Sequence, residues 1–219
     1  MATHSGPPGS AGKGWPRSVW LGWAVGGCLS AMVALVSFRY LVRVGAAPDV
    51  VAGNAFVVPW LVVHATAAAV ALLLGPLQFL AAIRNRRPAL HHWIGRIYIL
   101  ACIVAGIAGL VLAAGASTGW ISSSGFGLLA IAWLVSTTRA WWLAWNGRYR
   151  KHREWMIRSF ALTFAAVTLR IYLPLSAAFP AIGFEDAYRA ISFLSWVPNL
   201  LVAELIVRGT RARRAPRRA

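Results

Sequence analysis

The sequence contains few acidic residues: Asp and Glu together number 5, against 22 Lys and Arg in a chain of 219 residues. Charged residues of both signs make up only 12% of the chain, whereas hydrophobic residues make up 59%. This composition excludes an ordinary soluble globular domain, because such domains carry about 25% charged residues. Several runs reach the roughly 20 apolar residues that an α-helix needs to cross a bilayer. The sequence therefore predicts an all-α, polytopic membrane helix bundle.

Cysteine and the common catalytic motifs are also scarce. The two cysteines, Cys28 and Cys102, both fall near the middle of predicted membrane spans, where small packing residues are expected rather than a structural disulfide. The chain has no HExxH or CxxC motif and no Gly-rich phosphate-binding loop. We therefore expect a protein that is not an enzyme, and no catalytic residue is assigned.

Six apolar segments are long enough to span a membrane. The Gly/Pro/Ser-rich tail at residues 1–17 is expected to be disordered. Residues 18–208 are expected to form the six-span bundle, and residues 209–219 a polybasic cytoplasmic tail. The predicted spans are Val19–Phe38, Val57–Ala82, Trp93–Ala114, Gly125–Leu143, Trp155–Ala178 and Tyr188–Val207.

Basic residues concentrate on one side of the six predicted spans. Only four of the 22 fall on the other side, Arg39, Arg43, Arg170 and Arg189, so that 18 lie on the side of the chain termini. By the positive-inside rule both termini are expected in the cytoplasm. The basic segments are expected to contact anionic lipid headgroups rather than nucleic acid. The residues assigned to topology and lipid anchoring are Arg84, Arg86, Arg87, Arg148, Arg150, Lys151, Arg211, Arg213 and Arg214.

Small and polar residues form a stripe along one face of three predicted spans. In a bilayer such stripes are expected to face other helices, because small residues allow close approach and polar residues are costly against lipid. The stripes are His64, Ala68, Ala71, Gly75 and Gln78 in span two, His91, Gly95, Cys102, Gly106 and Gly109 in span three, and Ser159, Thr163, Ala166 and Arg170 in span five.

His64 and Arg170 fall at similar depths, about 10 and 12 Å from the ends of their spans in the half away from the termini. Arg170 needs acceptors, and Glu185 and Asp186 are the nearby carboxylates. Two interpretations stay open: Arg170 binds an anionic headgroup or substrate, or it is satisfied by backbone carbonyls or snorkels outward. The candidate ligand-binding residues are His64, Gln78, Arg158, Arg170 and Glu204.

A second polar layer is predicted near the termini. His91 and His152 open spans three and five at similar depth, which suits a bis-histidine haem or a metal pair. Haem b is therefore the alternative cofactor, although both histidines lie at the interface rather than inside the core, and no cofactor is assigned. Glu204, near the inner end of span six, is expected to pair with an arginine.

Three blocks resemble a bacterial membrane family catalogued as domain of unknown function number 2306. They are "LLLGPLQF", "LHHWIGRIYI" and "KHREWMIRSFALTFAAVTLRIYLPL", and the resemblance covers about residues 64–208. It implies a six-helix or similar bundle in the bacterial cytoplasmic membrane, it implies no activity, and it favours His91 over His92 as the residue of interest. The family's characteristic positions correspond to His64, Gly75, Gln78, Arg84, His91, Gly95, Arg96, His152, Trp155, Arg158, Arg170 and Glu204.

Four functions remain open at the level of sequence. The first is a bundle that binds or moves an anionic or lipid ligand through an interior lined by His64 and Arg170. The second is a b-type haem protein that transfers electrons and uses His91 and His152. The third is a proton-coupled device in which His64 titrates. The fourth is a structural or assembly subunit whose polar residues only hold helices together.

Overall fold

The computed structural model describes residues 17–42, 45, 49–179 and 181–213. Most of the predicted N-terminal tail, Arg43, and the predicted polybasic tail from Arg214 onward lie outside these residues. Two short 3₁₀ turns cover Phe38–Tyr40 and Pro76–Phe79. The α-helices of the described chain are α1 (Arg17–Ser37), α2 (Asp49–Ala52), α3 (Val57–Leu74), α4 (Ala81–Arg86), α5 (Pro88–Ala114), α6 (Trp120–Trp145), α7 (Tyr149–Thr163), α8 (Ala165–Ser176), α9 (Phe184–Leu194) and α10 (Val197–Ala212).

Six helical segments of the described chain are long and apolar enough to cross a membrane. The predicted all-α, six-span membrane bundle is therefore confirmed, and both described cysteines are free. Several spans begin earlier than hydropathy indicated, because a polar first turn still continues the backbone hydrogen bonds of the helix. The spans are Val19–Tyr40, Val57–Phe79, Pro88–Ala114, Trp120–Trp145, Tyr149–Ser176 and Phe184–Ala212.

Three of the spans are interrupted. Span two is interrupted at Pro76: α3 ends at Leu74, and the 3₁₀ turn that follows ends at an extended Leu80. Span six divides into α9 and α10 just before Pro198, which has no N–H to continue the helical hydrogen bonds. Span five divides at Phe164 rather than at Pro174, which lies inside α8.

The bundle has two ends, which we call the terminal face and the far face. The terminal face holds the start of α1, the end of α10 and the connections at residues 80–87 and 146–148. The far face holds the described residues of the connections between α1 and α3, between α5 and α6, and between α8 and α9. Two hydrogen bonds hold the connection before α3 against its neighbours. Ser117 Oγ in the connection after α5 donates to Val50 O at 2.7 Å, and Asn54 Nδ2 donates to Leu112 O near the end of α5 at 2.7 Å.

The predicted small-residue stripes face other helices. Gly75 packs against the ring of Phe160, and Gly109 lies against His64. A Cβ added at Gly106 would lie 2.7 Å from the side chain of Leu134, so this leucine of α6 packs directly against the backbone of α5. Close approach of this kind positions the polar groups of α3, α5 and α7 inside the bundle.

Candidate functional site

A cavity of about 330 Å³ lies between α1, α3, α5, α6, α8 and α9 in the far-face half of the bundle. This volume is at the small end of the range for ligand sites, about 300–1,000 Å³. Its lining runs from Arg39 and Asn54 near the far face to Leu72 and Trp133 inside the bundle. By helix rise, Trp133 lies about 20 Å below the start of α6. None of the described residues that line the cavity is Asp or Glu.

Arg170 lines this cavity from α8. Its Nη1 donates to Ala166 O at 3.0 Å, and its Nη2 donates to Ser37 Oγ at 2.9 Å. Ser37 donates its own hydroxyl hydrogen to Val33 O at 2.7 Å, so it accepts from Arg170. A guanidinium has five N–H donors, so these bonds leave further donors for a ligand.

The carboxylates suggested as partners of Arg170 are bound elsewhere. Glu185 and Asp186 both pair with Arg189, four and three residues along α9, at 3.2 and 2.5 Å respectively. Among the residues that the structure describes, Arg170 makes no salt bridge. Its hydrogen-bond acceptors are one backbone carbonyl and one serine hydroxyl. The carbonyl agrees with the interpretation that Arg170 is satisfied by backbone carbonyls, and the serine hydroxyl is an acceptor that this interpretation did not include.

Arg39 is a second cation at the cavity mouth, which the sequence argument used only to assign topology. It follows α1 directly and lines the cavity together with Tyr40. Its Nη2 donates to Tyr40 Oη at 3.1 Å, and its guanidinium carbon lies 4.9 Å from the centre of the Tyr40 ring. Arg39 Nε is buried and has no hydrogen-bond partner within the described chain. The mouth therefore carries two arginines and no lining carboxylate.

His64 lines the cavity about 10 Å below the start of α3. Its Nδ1 lies 2.9 Å from the carbonyl oxygen of Ala105 on α5. A carbonyl only accepts, so Nδ1 carries a hydrogen and donates, which leaves Nε2 as the second functional nitrogen. Arg170 lies within electrostatic reach of His64. The cavity thus brings together the two far-half residues that the sequence singled out.

The deep end of the cavity borders a buried network of hydroxyl and indole groups. Tyr98 Oη lies 2.9 Å from Ser159 Oγ and 3.0 Å from Thr163 Oγ1. Trp133 Nε1 donates to Thr163 Oγ1 at 3.0 Å, and Thr137 Oγ1 lies 2.7 Å from Ser159 Oγ. Every member is at most 5% exposed. The network joins α5, α6 and α7.

One assignment of hydrogens satisfies the whole network. Thr163 donates to Ser159 O at 2.9 Å and accepts from Trp133 and Tyr98. Ser159 then donates to Tyr98 and accepts from Thr137. Thr163 and Trp133 line the cavity floor, but their polar atoms are engaged within the protein. Thr163 and Trp133 therefore offer no free donor to the cavity, whereas Ser195, which also lines it, has a buried hydroxyl without a partner in the described chain.

The predicted terminal-face residues form a separate cluster. His152 Nδ1 donates to Ala140 O at 2.8 Å, so that its Nε2 remains for another partner. His152 and Arg84 lie within electrostatic reach of His91, whose Nδ1 is buried without a partner in the described chain. Gln78, 8% exposed, packs against Gly95 with its Nε2 unpartnered there. Among the described residues, no group of three or more His, Cys, Asp and Glu forms a metal site.

Arg158 and Glu204, two of the candidate ligand-binding residues, form an ion pair with each other. Arg158 Nε and Nη2 donate to the two carboxylate oxygens of Glu204 at 2.5 and 3.0 Å, linking α7 to α10. The expectation that Glu204 pairs with an arginine is confirmed. Arg211 makes a similar bidentate contact with Glu154, so this residue of the predicted tail belongs to the bundle. The helix continues through Ala212, because these contacts and its backbone hydrogen bonds extend it beyond the apolar run.

The remaining predicted anchors lie on the terminal face and are exposed. Several other arginines of this face stack on tryptophans: Arg139 lies 4.5 Å from the ring centre of Trp142, and Arg96 lies 5.1 Å from that of Trp93. Such pairs suit a membrane interface, where both side chains present polar tips beside apolar bodies. The exposed anchors are Arg84, Arg86, Arg87, Arg148, Arg150, Lys151 and Arg213.

The connection between α5 and α6 reads GASTG, which matches the letters of the GxSxG pattern of serine hydrolases. That pattern requires a strand before the turn, whereas this segment joins two helices. Ser117 also donates its hydroxyl hydrogen to Val50 O. The segment is therefore a far-face turn and not a nucleophile elbow.

Sequence reasoning missed several residues of the site. Tyr98 lies four residues before Cys102, which belongs to the stripe predicted in span three, and Trp133 and Thr137 are four apart on α6, so each pair shares a helix face. That spacing was a usable signal for the network. Arg39 gave no such signal, because its position at the cavity depends on how α1 packs against α3 and α8.

A comparison with protein families gives one match: the family described as "Predicted membrane protein (DUF2306)" covers residues 61–207 of the chain. This range is about two thirds of the chain and agrees with the extent of the resemblance seen in the sequence blocks. No curated protein and no solved structure gives a significant match.

Proposed function

We propose that this chain, which belongs to the DUF2306 family of predicted membrane proteins, binds a small anion in the cavity near its far face. The observation that carries the proposal is the pair of arginines at the cavity mouth. Arg39 and Arg170 line one small cavity whose described lining includes no carboxylate. A charge enclosed by apolar helices is costly unless it is paired, so an anion between these side chains is stabilised.

The donors left over on the two guanidinium groups suit a carboxylate or phosphate. Arginine presents its N–H groups as a planar fork that matches the oxygens of these anions. Arg170 is held by Ala166 O and Ser37 Oγ, so part of the ordering cost is met before a ligand arrives. His64 lies at a deeper level of the same cavity, and because its Nδ1 donates to Ala105 O, its Nε2 donates to an anion only in the protonated imidazolium form.

The proposal also includes a location and orientation. Basic residues of the described chain concentrate on the terminal face, and the positive-inside rule assigns that face to the cytoplasm. With the bacterial cytoplasmic membrane as the location, the anion cavity then lies in the outer half of the bilayer. Cysteine labelling at Ser117 and at Arg150 in whole cells, with a membrane-impermeant maleimide, tests this orientation: only the Ser117→Cys variant should react.

The proposed binding is tested with three carboxylates and a neutral counterpart of each, and with inorganic phosphate compared with the ligand-free protein. The protein is placed in nanodiscs of zwitterionic lipid, and thermal stability is measured with acetate, inorganic phosphate, benzoate and decanoate, and with acetamide, benzamide and decanol. At least one anion should raise the melting temperature more than its neutral counterpart. Arg170→Gln should abolish this difference while the protein remains folded.

Arg189→Gln is the matched control. It removes one positive charge from the same face, but Arg189 does not line the cavity and is paired with Glu185 and Asp186. The control should keep the anion effect. The proposal is wrong if no anion exceeds its neutral counterpart, or if the two variants lose the effect equally, since that would indicate general surface charge.

We propose a bis-histidine haem at the terminal face as a second candidate, because two neighbouring histidines there each have a nitrogen without a partner in the described chain. His152 is oriented by Ala140 O with Nε2 left over, and the neighbouring His91 has a buried nitrogen without a partner in the described chain. Orientation of an imidazole by a backbone carbonyl is usual for metal-ligating histidines. Protein purified after expression with ample haem should show a Soret band that shifts on reduction and is lost in His91→Ala and His152→Ala. A colourless protein excludes this candidate.

A further inference from the structure

We propose that the occupant of the far-face cavity is a single-chain anionic amphiphile, with a carboxylate or phosphate head at Arg39 and Arg170 and an apolar chain directed toward Leu72 and Trp133. This inference rests on the proposed anion binding and adds the class of ligand. It follows from how polarity changes with depth in the cavity.

The charged groups occupy only the shallow end of the cavity. Arg39 lies in the 3₁₀ turn after α1, and Arg170 lies six residues before the end of α8, about 9 Å deep. His64 follows at about 10 Å, and Leu72 lies about 22 Å below the start of α3. A ligand that fills the cavity therefore meets cations at one end and aliphatic side chains at the other.

The apolar character of the deep end depends on the buried network. Thr163 and Trp133 both line the floor, and each would be polar if its hydroxyl or indole N–H were unpaired. Trp133 Nε1 donates to Thr163 Oγ1, which also accepts from Tyr98 and donates to Ser159 O. No donor of this group is left for a ligand, and the lining residue Ser195 adds one buried hydroxyl that has no partner in the described chain. Because the other deep lining groups are aliphatic or engaged within the protein, the deep end favours a hydrocarbon over a sugar, which carries many hydroxyl groups.

The face of α3 that lines the cavity has three alanines between two leucines, which leaves room for one hydrocarbon chain. Leu61, Ala65, Ala68, Ala69 and Leu72 follow the three- and four-residue spacing of one helix face, and all five line the cavity. This face extends along about 16 Å of helix from Leu61 to Leu72, and the small alanine side chains in its middle leave space beside the helix. At about 330 Å³ the cavity is too small to enclose a two-chain phospholipid, so one chain with its head is the occupant that fits.

The experiment measures binding of radiolabelled decanoate, octanoate, acetate and decyl phosphate by equilibrium dialysis against protein in zwitterionic nanodiscs, with empty nanodiscs subtracted. Burial of one methylene contributes a factor of about three to four in affinity. Decanoate should therefore bind roughly tenfold more tightly than octanoate. Acetate should bind far more weakly than either. Decyl phosphate distinguishes a phosphate head, as in a lysolipid, from a free fatty acid, and preferential binding of either supports the proposal.

Two variants of neighbouring residues on α6 test the deep end directly. Leu129 lines the cavity, whereas Leu128 is 50% exposed toward the surroundings and does not. Leu129→Trp should lower decanoate affinity at least tenfold and leave acetate binding unchanged, and Leu128→Trp should change neither. Should Leu129→Trp fail to fold, the chain-length series in the unaltered protein decides the question alone.

The outcomes separate the inference from the function on which it rests. Equal affinity for acetate and decanoate, with loss of both in Arg170→Gln, would overturn the amphiphile and retain the anion site. A chain-length dependence that survives in Arg170→Gln would overturn both, because the head would then play no part. Binding that rises with chain length and disappears in Arg170→Gln supports both.

Discussion

Arg170 on α8 donates a hydrogen bond to Ser37 Oγ at the end of α1, across 133 residues of sequence. Ser37 in turn donates its hydroxyl hydrogen bond to Val33 O. The bond joins the fifth span to the first. Ser37 precedes the segment that matches the family, residues 61–207, whereas Arg170 lies inside it. The first span therefore supplies part of the environment of an arginine that lies inside the family segment.

The first prediction concerns this bond. Ser37→Ala removes the acceptor and leaves the Arg170 side chain less restrained, so decanoate affinity should fall about fivefold, the equivalent of roughly 1 kcal/mol for one hydrogen bond. The melting temperature should change little, because Arg170 keeps its bond to Ala166 O. Equilibrium dialysis and thermal unfolding measure the two effects.

Ser30→Ala is the control for this first prediction. Ser30 is also a fully buried serine of α1, but its hydroxyl has no partner within the described chain. Its removal should leave affinity unchanged and should not destabilise the protein. Equal losses of affinity in the two variants would contradict a specific role for Ser37.

The second prediction concerns the network below the cavity. Tyr98→Phe removes the hydroxyl that joins Ser159 to Thr163 and leaves a buried donor and a buried acceptor unpaired. Unfolding free energy should fall by about 1–2 kcal/mol, a range consistent with interhelical hydrogen bonds in membrane proteins. Tyr149→Phe, at a residue 69% exposed, should have no measurable effect. An unchanged stability of Tyr98→Phe, measured by denaturant titration in mixed micelles, would show that the network is dispensable.

The fold was predictable from the sequence because bilayer physics restricts it strongly. A span needs about 20 apolar residues with internally satisfied backbone groups, and six such segments are present. The stripe in span two was also predictable, because polar and small residues in a membrane helix face other helices. Its members Ala68, Ala71 and Gln78 recur at helical spacing and are buried. Helix ends were less predictable, because polar first turns are helical without being apolar.

The site was predictable only in part. His64 and Arg170 were placed at similar depth by counting residues, and both line the cavity. Arg158 and Glu204 were taken as ligand-binding residues, yet their partners are each other. Pairing of this kind depends on the rotation of α10 about its axis, which composition does not determine. The role of Arg39 likewise depends on packing between distant helices.

The third prediction concerns the contact of α6 with α9. A Cβ added at Gly125 would clash with Ser192 Oγ and lie 3.0 Å from the carbonyl carbon of Ser192, so the backbones must separate. Gly125→Ala should therefore destabilise the protein by about 1–3 kcal/mol. Gly127→Ala is the matched control on the same helix, because its nearest contact would be Ala113 Cβ at 3.9 Å. Gly127→Ala should be neutral or slightly stabilising, since alanine favours helix. Equal behaviour of the two variants in thermal unfolding would contradict the close packing.

The fourth prediction compares two ion pairs. Arg158 and Glu204 are bidentate and 12% and 33% exposed, whereas Arg189 and Glu185 are 33% and 68% exposed and four residues apart on one helix. A double-mutant cycle with glutamine at both positions should give a coupling free energy of about 1–2 kcal/mol for the first pair. The second pair should give less than about 0.5 kcal/mol, because solvent screens it and its formation needs no tertiary contact. Unfolding free energies of the unaltered protein, the single variants and the double variants supply the cycles. Equal coupling in both pairs would mean that the link between α7 and α10 contributes no more than a surface pair.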